Sequence, residues 1–243
     1  MHDRHDYPEG ITRLVVLGDP HGDLAALEQV VAREAGPQTA FLSVGDNVGY
    51  ASGPDSSAFC QRLIELGARS VRGNHEEWIS AEGELAIVLP PRHSERRLRP
   101  EALAWARALP LALWLRFAAA PRLRVLARHT IGPGWGYVHA GNAAALAYEE
   151  RAEVVLVGHS HGPSLYAIGE GDPFAGEVMR LPLASSGDEQ IELPLPGPFE
   201  RLVVDAGSLG RPGHHPEPPA LGMASYALLD LVAGTASLRA FVK

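Results

Sequence analysis

Side chains that commonly bind metal ions are concentrated in five short peptides of this 243-residue chain. The peptides are GDPHGD (18–23), GDN (45–47), GNHE (73–76), VHAG (138–141) and GHSH (158–161). Each one follows a hydrophobic run and contains a glycine, which permits a tight turn. Because ligands of open α/β sheets bind beyond the carboxyl ends of the strands, we expect the five peptides to meet in one site.

The spacing and types of these side chains indicate the kind of ion. Asp19 and His21 are two residues apart, so both can face one ion from an extended segment, and His159 and His161 repeat that spacing. A mixture of imidazole, carboxylate and amide ligands suits Mn, Fe or Zn, whereas Ca and Mg prefer oxygen ligands. The sequence therefore predicts a transition-metal site.

Strands and helices alternate in the first part of the chain. ITRLVVLG (11–18), TAFLSVG (39–45) and ARSVRG (68–73) are short apolar runs typical of strands. The amphipathic segments 24–36, which Asp23 can cap, and 56–67 each end at a glycine and predict helices. This order predicts parallel βαβ units with right-handed crossovers.

The remaining segments predict a second sheet. Pro100 favours a helix start, and NAAALAYEERA is a further predicted helix. LALWLRF, RLRVLARHTI, GWGYVHAG and EVVLVG are predicted strands, the last of them in the core. Four later runs predict an antiparallel meander: QIELPL, RLVVDAG, MASYALLDL and ASLRAFV.

The order and chemistry of the five peptides resemble the calcineurin-like metallophosphoesterase superfamily. The resemblance implies one domain over residues 1–243, variable at 80–130, with an α/β fold. That fold is a four-layer αββα sandwich of two mixed β-sheets flanked by helices. It also implies two metal ions, Asp46 bridging both. One ion would be bound by Asp19, His21, Asp46 and His161, and the other by Asp46, Asn74, His139 and His159. His75 would protonate the leaving group instead of binding metal.

The same resemblance implies hydrolysis of a phosphodiester or phosphomonoester by in-line attack of a metal-bridging hydroxide. GDNVGYASGP (45–54) has Gly49 and Tyr50 where the phosphoprotein-phosphatase branch has Asp and Arg. This segment, with AGSLGRP (206–212), is more similar to small prokaryotic phosphodiesterases. The alternatives are a dinucleoside polyphosphate hydrolase, a Ser/Thr protein phosphatase, or a metal-binding scaffold that has lost catalysis.

Several other residues receive simpler roles. Asp23 and Glu76 are expected to cap helices or orient ligands, and Cys60 to be buried. Arg72 and Arg211 lie within motif segments and are candidates for contacting the substrate phosphate. The histidines outside the motifs are expected mostly at the surface: His2, His5, His93, His129, His214 and His215.

Composition limits the range of partners. The formal net charge of −8 argues against bulk binding of nucleic acid. The family resemblance implies a phosphorylated small molecule or nucleotide as substrate. No apolar run is long enough to span a bilayer, and the polar start MHDRHDYPEG predicts a cytoplasmic protein. One cysteine excludes an intramolecular disulfide.

The segment 92–128 holds nine arginines but only two acidic residues, Glu95 and Glu101. One hypothesis is that it caps the metal site and attracts anionic substrate; the alternative is that the arginines lie on solvated faces and pair with nearby acids. Reversing the charges of 92–99 should raise KM for an anionic phosphoester and weaken its salt dependence, as measured by steady-state kinetics. An unchanged KM and salt dependence would contradict the cap.

Overall fold

The computed structural model describes residues 3–49, 56–80, 98–132, 135–169, 176–183, 188–197, 200–213, 220 and 222–243. The helices are α1 (Leu24–Glu34), α2 (Ser56–Glu65), α3 (Asn74–Ser80), α4 (Pro100–Arg107) and α5 (Ala140–Glu150). The strands are β1 (Asp3–Tyr7), β2 (Arg13–Leu17), β3 (Thr39–Ser43), β4 (Arg69–Ser70), β5 (Ala112–Phe117), β6 (Val125–Arg128), β7 (Val154–Val157), β8 (Ser164–Ile168), β9 (Gly176–Arg180), β10 (Glu189–Pro194), β11 (Arg201–Asp205), β12 (Met223–Asp230) and β13 (Thr235–Val242).

The strands form two mixed sheets, as expected. The six-stranded sheet has the order β10-β13-β12-β2-β3-β4, and the seven-stranded sheet has the order β1-β5-β6-β7-β11-β8-β9. In the first, β2, β3 and β4 are parallel, with α1 and α2 in the crossovers, which confirms the predicted βαβ units. Asp23 caps α1 by accepting a hydrogen bond from the Ala26 N–H, again as predicted.

Two predictions for the second half of the chain are wrong. RLVVDAG does not join the meander, because β11 enters the other sheet, parallel to β7 and antiparallel to β8. Its continuous buried run suits an internal strand that is covered on both faces. The described part of GWGYVHAG forms only an isolated bridge between Ile131 and Gly136, because Trp135 adopts a left-handed φ that an extended strand does not allow.

Alternating side chains of the central strands build the four layers. Leu14 and Val16 of β2 pack between the two sheets, whereas Val15 and Leu17 pack toward Leu27 of α1. In the other sheet, alternate residues of β7 pack against α5. Both sheets are therefore buried on two faces. Among the described residues, no helix is long and apolar enough to cross a membrane.

A buried carboxylate connects α1 to the six-stranded sheet. Glu34 accepts hydrogen bonds from the Tyr226 hydroxyl (2.7 Å), from Arg239 Nη1 (2.5 Å) and from Arg13 Nη2 (2.6 Å). Burial by itself would raise the pKa of Glu34, but the hydroxyl and the two guanidinium groups outweigh it and hold the pKa below its usual value of 4.5. The carboxylate thus stays ionised and paired.

Replacing Glu34 with Ala should lower the free energy of unfolding by about 2 kcal/mol, because two partly buried arginines lose their counter-charge. Since the pKa is lowered in the folded state, this contribution is present above pH 4.5 and is lost as the pH falls below it. Urea denaturation of both proteins on either side of that pH measures the difference. Glu28→Ala, which breaks the exposed pair with Arg62, should cost less than about 0.5 kcal/mol. Equal losses in the two variants would contradict this account.

Candidate metal centre

The polar peptides meet where the strands end. Asp19 follows β2, Asp46 follows β3, and His159 follows β7. Backbone hydrogen bonds connect these loops: the His21 N–H donates to the Asp46 carbonyl (2.9 Å), and the Gly158 N–H donates to the His129 carbonyl (3.0 Å). The site therefore lies at one edge of the sandwich, between the carboxyl ends of strands from both sheets.

The backbone of these loops adopts unusual conformations. Seven non-glycine residues in the described parts of the chain have a left-handed φ, and five belong to the site: Asp19, His21, Asp46, His159 and His161. Such conformations cost free energy and concentrate at functional sites. At two other positions glycine is required by lack of space. A Cβ at Gly73 would overlap the Asp46 carboxylate, and a Cβ at Gly158 would overlap the Asp19 carboxylate.

Main-chain donors hold the carboxylates in place. Asp19 Oδ2 accepts a hydrogen bond from the His159 N–H (2.7 Å), and Asp46 Oδ1 accepts one from the His75 N–H (2.9 Å). Behind them, the buried Glu76 carboxylate accepts from the N–H groups of Gly73 (2.8 Å), Asp46 (2.9 Å) and Val48 (3.1 Å). Glu76 thus orients two of the loops, which is the role expected for it.

The first candidate ligand group consists of Asp19, His21 and His161. The Nε2 atoms of the two histidines lie 3.1 Å apart, and His161 Nε2 lies 3.4 Å from Asp19 Oδ1. Asp19 Oδ1 is buried, and no described residue donates a hydrogen bond to it. His161 Nδ1 lies 3.1 Å from the Arg211 carbonyl, which can only accept, so this nitrogen carries the proton. Nε2 is therefore the nitrogen of His161 that could bind an ion beside the carboxylate.

The second candidate group contains Asp46, His129 and His159. His129 Nδ1 donates to the Val44 carbonyl (2.8 Å), which leaves its Nε2 facing Asn74 Oδ1 (3.1 Å) and Asp46 Oδ1 (3.5 Å). In both groups, carboxylate oxygens and imidazole nitrogens converge on a small volume. Such an arrangement suits a bound cation, so these residues fit the two metal ions that the family resemblance implies.

The surroundings shift the pKa values of two imidazoles of the site in opposite directions. Burial by itself would lower the pKa of His129, but the nearby carboxylates of Asp46 and Asp19 outweigh it and raise that pKa to about 10. The position thus favours positive charge. Burial lowers the pKa of His21 to about 3, so its imidazole stays neutral, as a metal ligand must be.

His139 lies outside these groups, although the sequence analysis assigned it to the second ion. Its side chain is exposed and caps α5, with Nδ1 accepting a hydrogen bond from the Gly141 N–H (3.0 Å). The histidine placed in the buried cluster is His129, which is only 1% exposed and was expected at the surface. The physical reason is that β6 pairs with β7 and ends beside it, and His129 is the residue that directly follows β6.

His75 lies between the two groups. It is 3% exposed, and its Nε2 is 3.7 Å from Asp46 Oδ2. Its ring contacts those of His21 (centroids 4.8 Å apart) and Trp78 (4.6 Å). His75, Asp46 and His21 also place ligand atoms within 4.8 Å of one another. The imidazole is therefore held against the same carboxylate that faces His129.

The two arginines predicted to contact the substrate phosphate, Arg72 and Arg211, have other contacts in the structure. Arg72 donates hydrogen bonds to the carbonyls of Arg107 (2.7 Å) and Leu109 (3.2 Å), so it fixes the end of α4. Arg211 is exposed, and its carbonyl faces His161. Within 92–128, Arg124 pairs with Glu153 and Arg128 pairs with Glu150, as the alternative to a cap requires. Residues 92–97 lie outside the described residues.

Comparisons with known proteins agree with the geometry. The family model described as calcineurin-like phosphoesterase matches residues 12–163. A metallophosphoesterase from Sphaerobacter thermophilus superimposes with a TM-score of 0.69 and 22% identity, covering 93% of this chain and 87% of that one. A protein assigned as a diadenosine tetraphosphatase has a TM-score of 0.51 and 16% identity, with coverages of 97% and 96%. A serine/threonine phosphatase from Saccharomyces cerevisiae has a TM-score of 0.52 and 13% identity, with coverages of 100% and 84%. The comparison with curated proteins found no match.

The two candidate histidines predict opposite results on substitution. His129→Ala should release metal and weaken its binding by about 10–100-fold or more, because it removes a nitrogen from the second group. His139→Ala should retain metal and lose only a helix cap, which costs about 1 kcal/mol. Elemental analysis and thermal denaturation of both variants measure these effects. Retained metal in His129→Ala together with lost metal in His139→Ala would reverse the assignment.

Proposed function

Because this chain belongs to the calcineurin-like phosphoesterase family, we propose that it hydrolyses phosphoesters with two metal ions held side by side. The observation that carries the proposal is the position of Asp46. It shares one candidate ligand group with His21, which also belongs to the first group, and another with His129 and His159, and its Oδ1 lies 3.5 Å from His129. A carboxylate with ligands on both sides is suited to bridge two ions.

Each ion has a proposed set of ligands. Asp19, His21, His161 and Asp46 would hold one ion, and Asp46, Asn74, His129 and His159 would hold the other. Mn, Fe and Zn all suit these ligands. When bound, such a pair lowers the pKa of a water and neutralises charge on the phosphoryl oxygens.

The protein contributes a proton donor of its own. The family assigns the leaving-group proton to the histidine after the Asn ligand, which is His75 in this chain. Asp46, His21 and Trp78 surround its ring, so the imidazole is held in one orientation. A positioned imidazole that protonates a departing alkoxide contributes about 10²–10⁴-fold to the rate.

The packing at Gly49 argues against the residue pattern of the protein phosphatases. A Cβ at this position would meet His21 Nδ1 at 2.5 Å and His75 Nδ1 at 2.8 Å. The aspartate that phosphoprotein phosphatases carry here would therefore displace both rings. This weakens the protein-phosphatase alternative. The proposed preference for a diester rests on the resemblance of GDNVGYASGP and AGSLGRP to small prokaryotic phosphodiesterases, and the proposed substrate is a phosphorylated small molecule or nucleotide.

Substitution of His75 separates catalysis from metal binding. His75→Ala should retain both ions but lower kcat for bis(p-nitrophenyl) phosphate by about 10²–10³-fold. Chelation should abolish the activity of the wild-type protein, and added Mn, Fe or Zn should restore it. His5→Ala, outside the site, is the matched control and should leave kcat unchanged.

The scaffold alternative makes a different prediction for the same assays. A metal-loaded protein that hydrolyses neither p-nitrophenyl phosphate nor bis(p-nitrophenyl) phosphate would contradict the proposed function. An active protein in which His75→Ala matched the wild type would instead remove only the role given to His75.

A further inference from the structure

A cavity of about 620 Å³ lies beside the candidate metal centre, with His129 in its wall. Trp135, Pro110, Leu111 and Ala112 provide apolar lining, whereas Arg128 and Glu77 provide polar groups. Ligand pockets for small molecules commonly have volumes of about 300–1,000 Å³, with mainly apolar walls and a few polar groups. The cavity therefore has the size and lining of a small-molecule site, and it shares one residue with the proposed metal ligands.

The loop after β6 brings two aromatic rings to this side of the site. The Trp135 ring packs edge-on against that of His129, with centroids 5.7 Å apart. Tyr137 stacks on His159, with centroids 4.6 Å apart and an interplanar angle of 18°, yet is 42% exposed. Trp135 also has a φ of 52°, which is uncommon for a bulky side chain. Aromatic surface thus adjoins both imidazoles of the second ligand group.

Arg128 lines the same cavity, and one donor of its guanidinium has no acceptor among the described residues. Its Nη1 pairs with Glu150 at 2.7 Å, but its Nε is buried, and no described residue accepts a hydrogen bond from it. A buried donor without an acceptor is costly, so a ligand that supplies one would be stabilised. The Glu77 carboxylate, which also lines the cavity, can accept hydrogen bonds from a ligand.

We propose that this cavity binds the purine or pyrimidine base of a nucleotide whose phosphate lies at the metal centre. A nucleobase is a flat aromatic ring that stacks on Trp, and its edge carries acceptors for Arg128 and donors for Glu77. An aliphatic group would fill the apolar part but would leave Arg128 Nε without an acceptor. The inference rests on the proposed function for the phosphate half of the ligand.

Two ligands that differ only in the base test the proposal. Calorimetric titration of the metal-loaded protein with AMP and with ribose 5-phosphate compares the same sugar and phosphate with and without adenine. AMP should bind at least about tenfold more tightly, as expected for one stacked base. Trp135→Leu should reduce this ratio to about one, whereas Trp135→Phe, which keeps an aromatic ring, should retain most of it.

Further measurements identify the source of any change. In Trp135→Leu, the Kd of ribose 5-phosphate and the metal content should stay as in the wild type. Arg128→Lys keeps a positive charge for Glu150 but removes Nε, and it should lower the ratio about threefold or more. Hexyl phosphate serves as the aliphatic probe and should bind no more tightly than ribose 5-phosphate.

Each contrary result is decisive. A ratio near one in the wild type, or an unchanged ratio in Trp135→Leu, would overturn the base site, as would hexyl phosphate binding as tightly as AMP. The titrations do not depend on turnover. Tight, Trp135-dependent AMP binding without hydrolysis of any ester would therefore keep the base site and contradict the proposed function alone.

Discussion

The arrangement of the whole site depends on two buried carboxylates, those of Asp19 and Asp46. A buried carboxylate is stable only when hydrogen-bonded or paired with positive charge. Each of them uses one oxygen to accept a main-chain N–H, from His159 and His75 respectively. Asp19 thereby joins a loop of the six-stranded sheet to a loop of the seven-stranded sheet. The imidazole nitrogens converge on the carboxylates, so the site is suited to a cation.

The same constraint accounts for features that lie farther from the carboxylates. Left-handed backbone at five site residues turns side chains inward over a short distance, and the glycines at 73 and 158 leave room for carboxylate oxygens. Supporting groups then hold the loops from behind. Glu76 gathers three N–H groups, and Asp205 accepts a 2.6 Å hydrogen bond from Ser160, which lies between His159 and His161. The hydrogen bonds of Glu76 and Asp205 thus help to hold the left-handed backbone of these loops in place.

One loop contributes residues both to the candidate metal centre and to the proposed base site. His129 and Trp135 are six residues apart, and the first faces the carboxylates while the second lines the neighbouring cavity. Arg128, directly before His129, also lines that cavity and has a buried Nε–H without an acceptor among the described residues.

The sequence by itself determined the elements and chemistry that depend on local patterns. Apolar runs, the Asp23 cap and glycine stops predicted β2, α1, β3 and α2, and the spacing of Asp19, His21, His159 and His161 predicted ligands. Only the tertiary structure decided which strands pair with each other. RLRVLARH and GWGYVH both place a histidine after an apolar run, so local pattern could not distinguish His129 from His139. Pairing of β6 with β7 brings His129 to the sheet edge, and pairing of β11 with β7 likewise removes RLVVDAG from the meander. Such contacts join residues distant in sequence, and short apolar runs do not encode their partners.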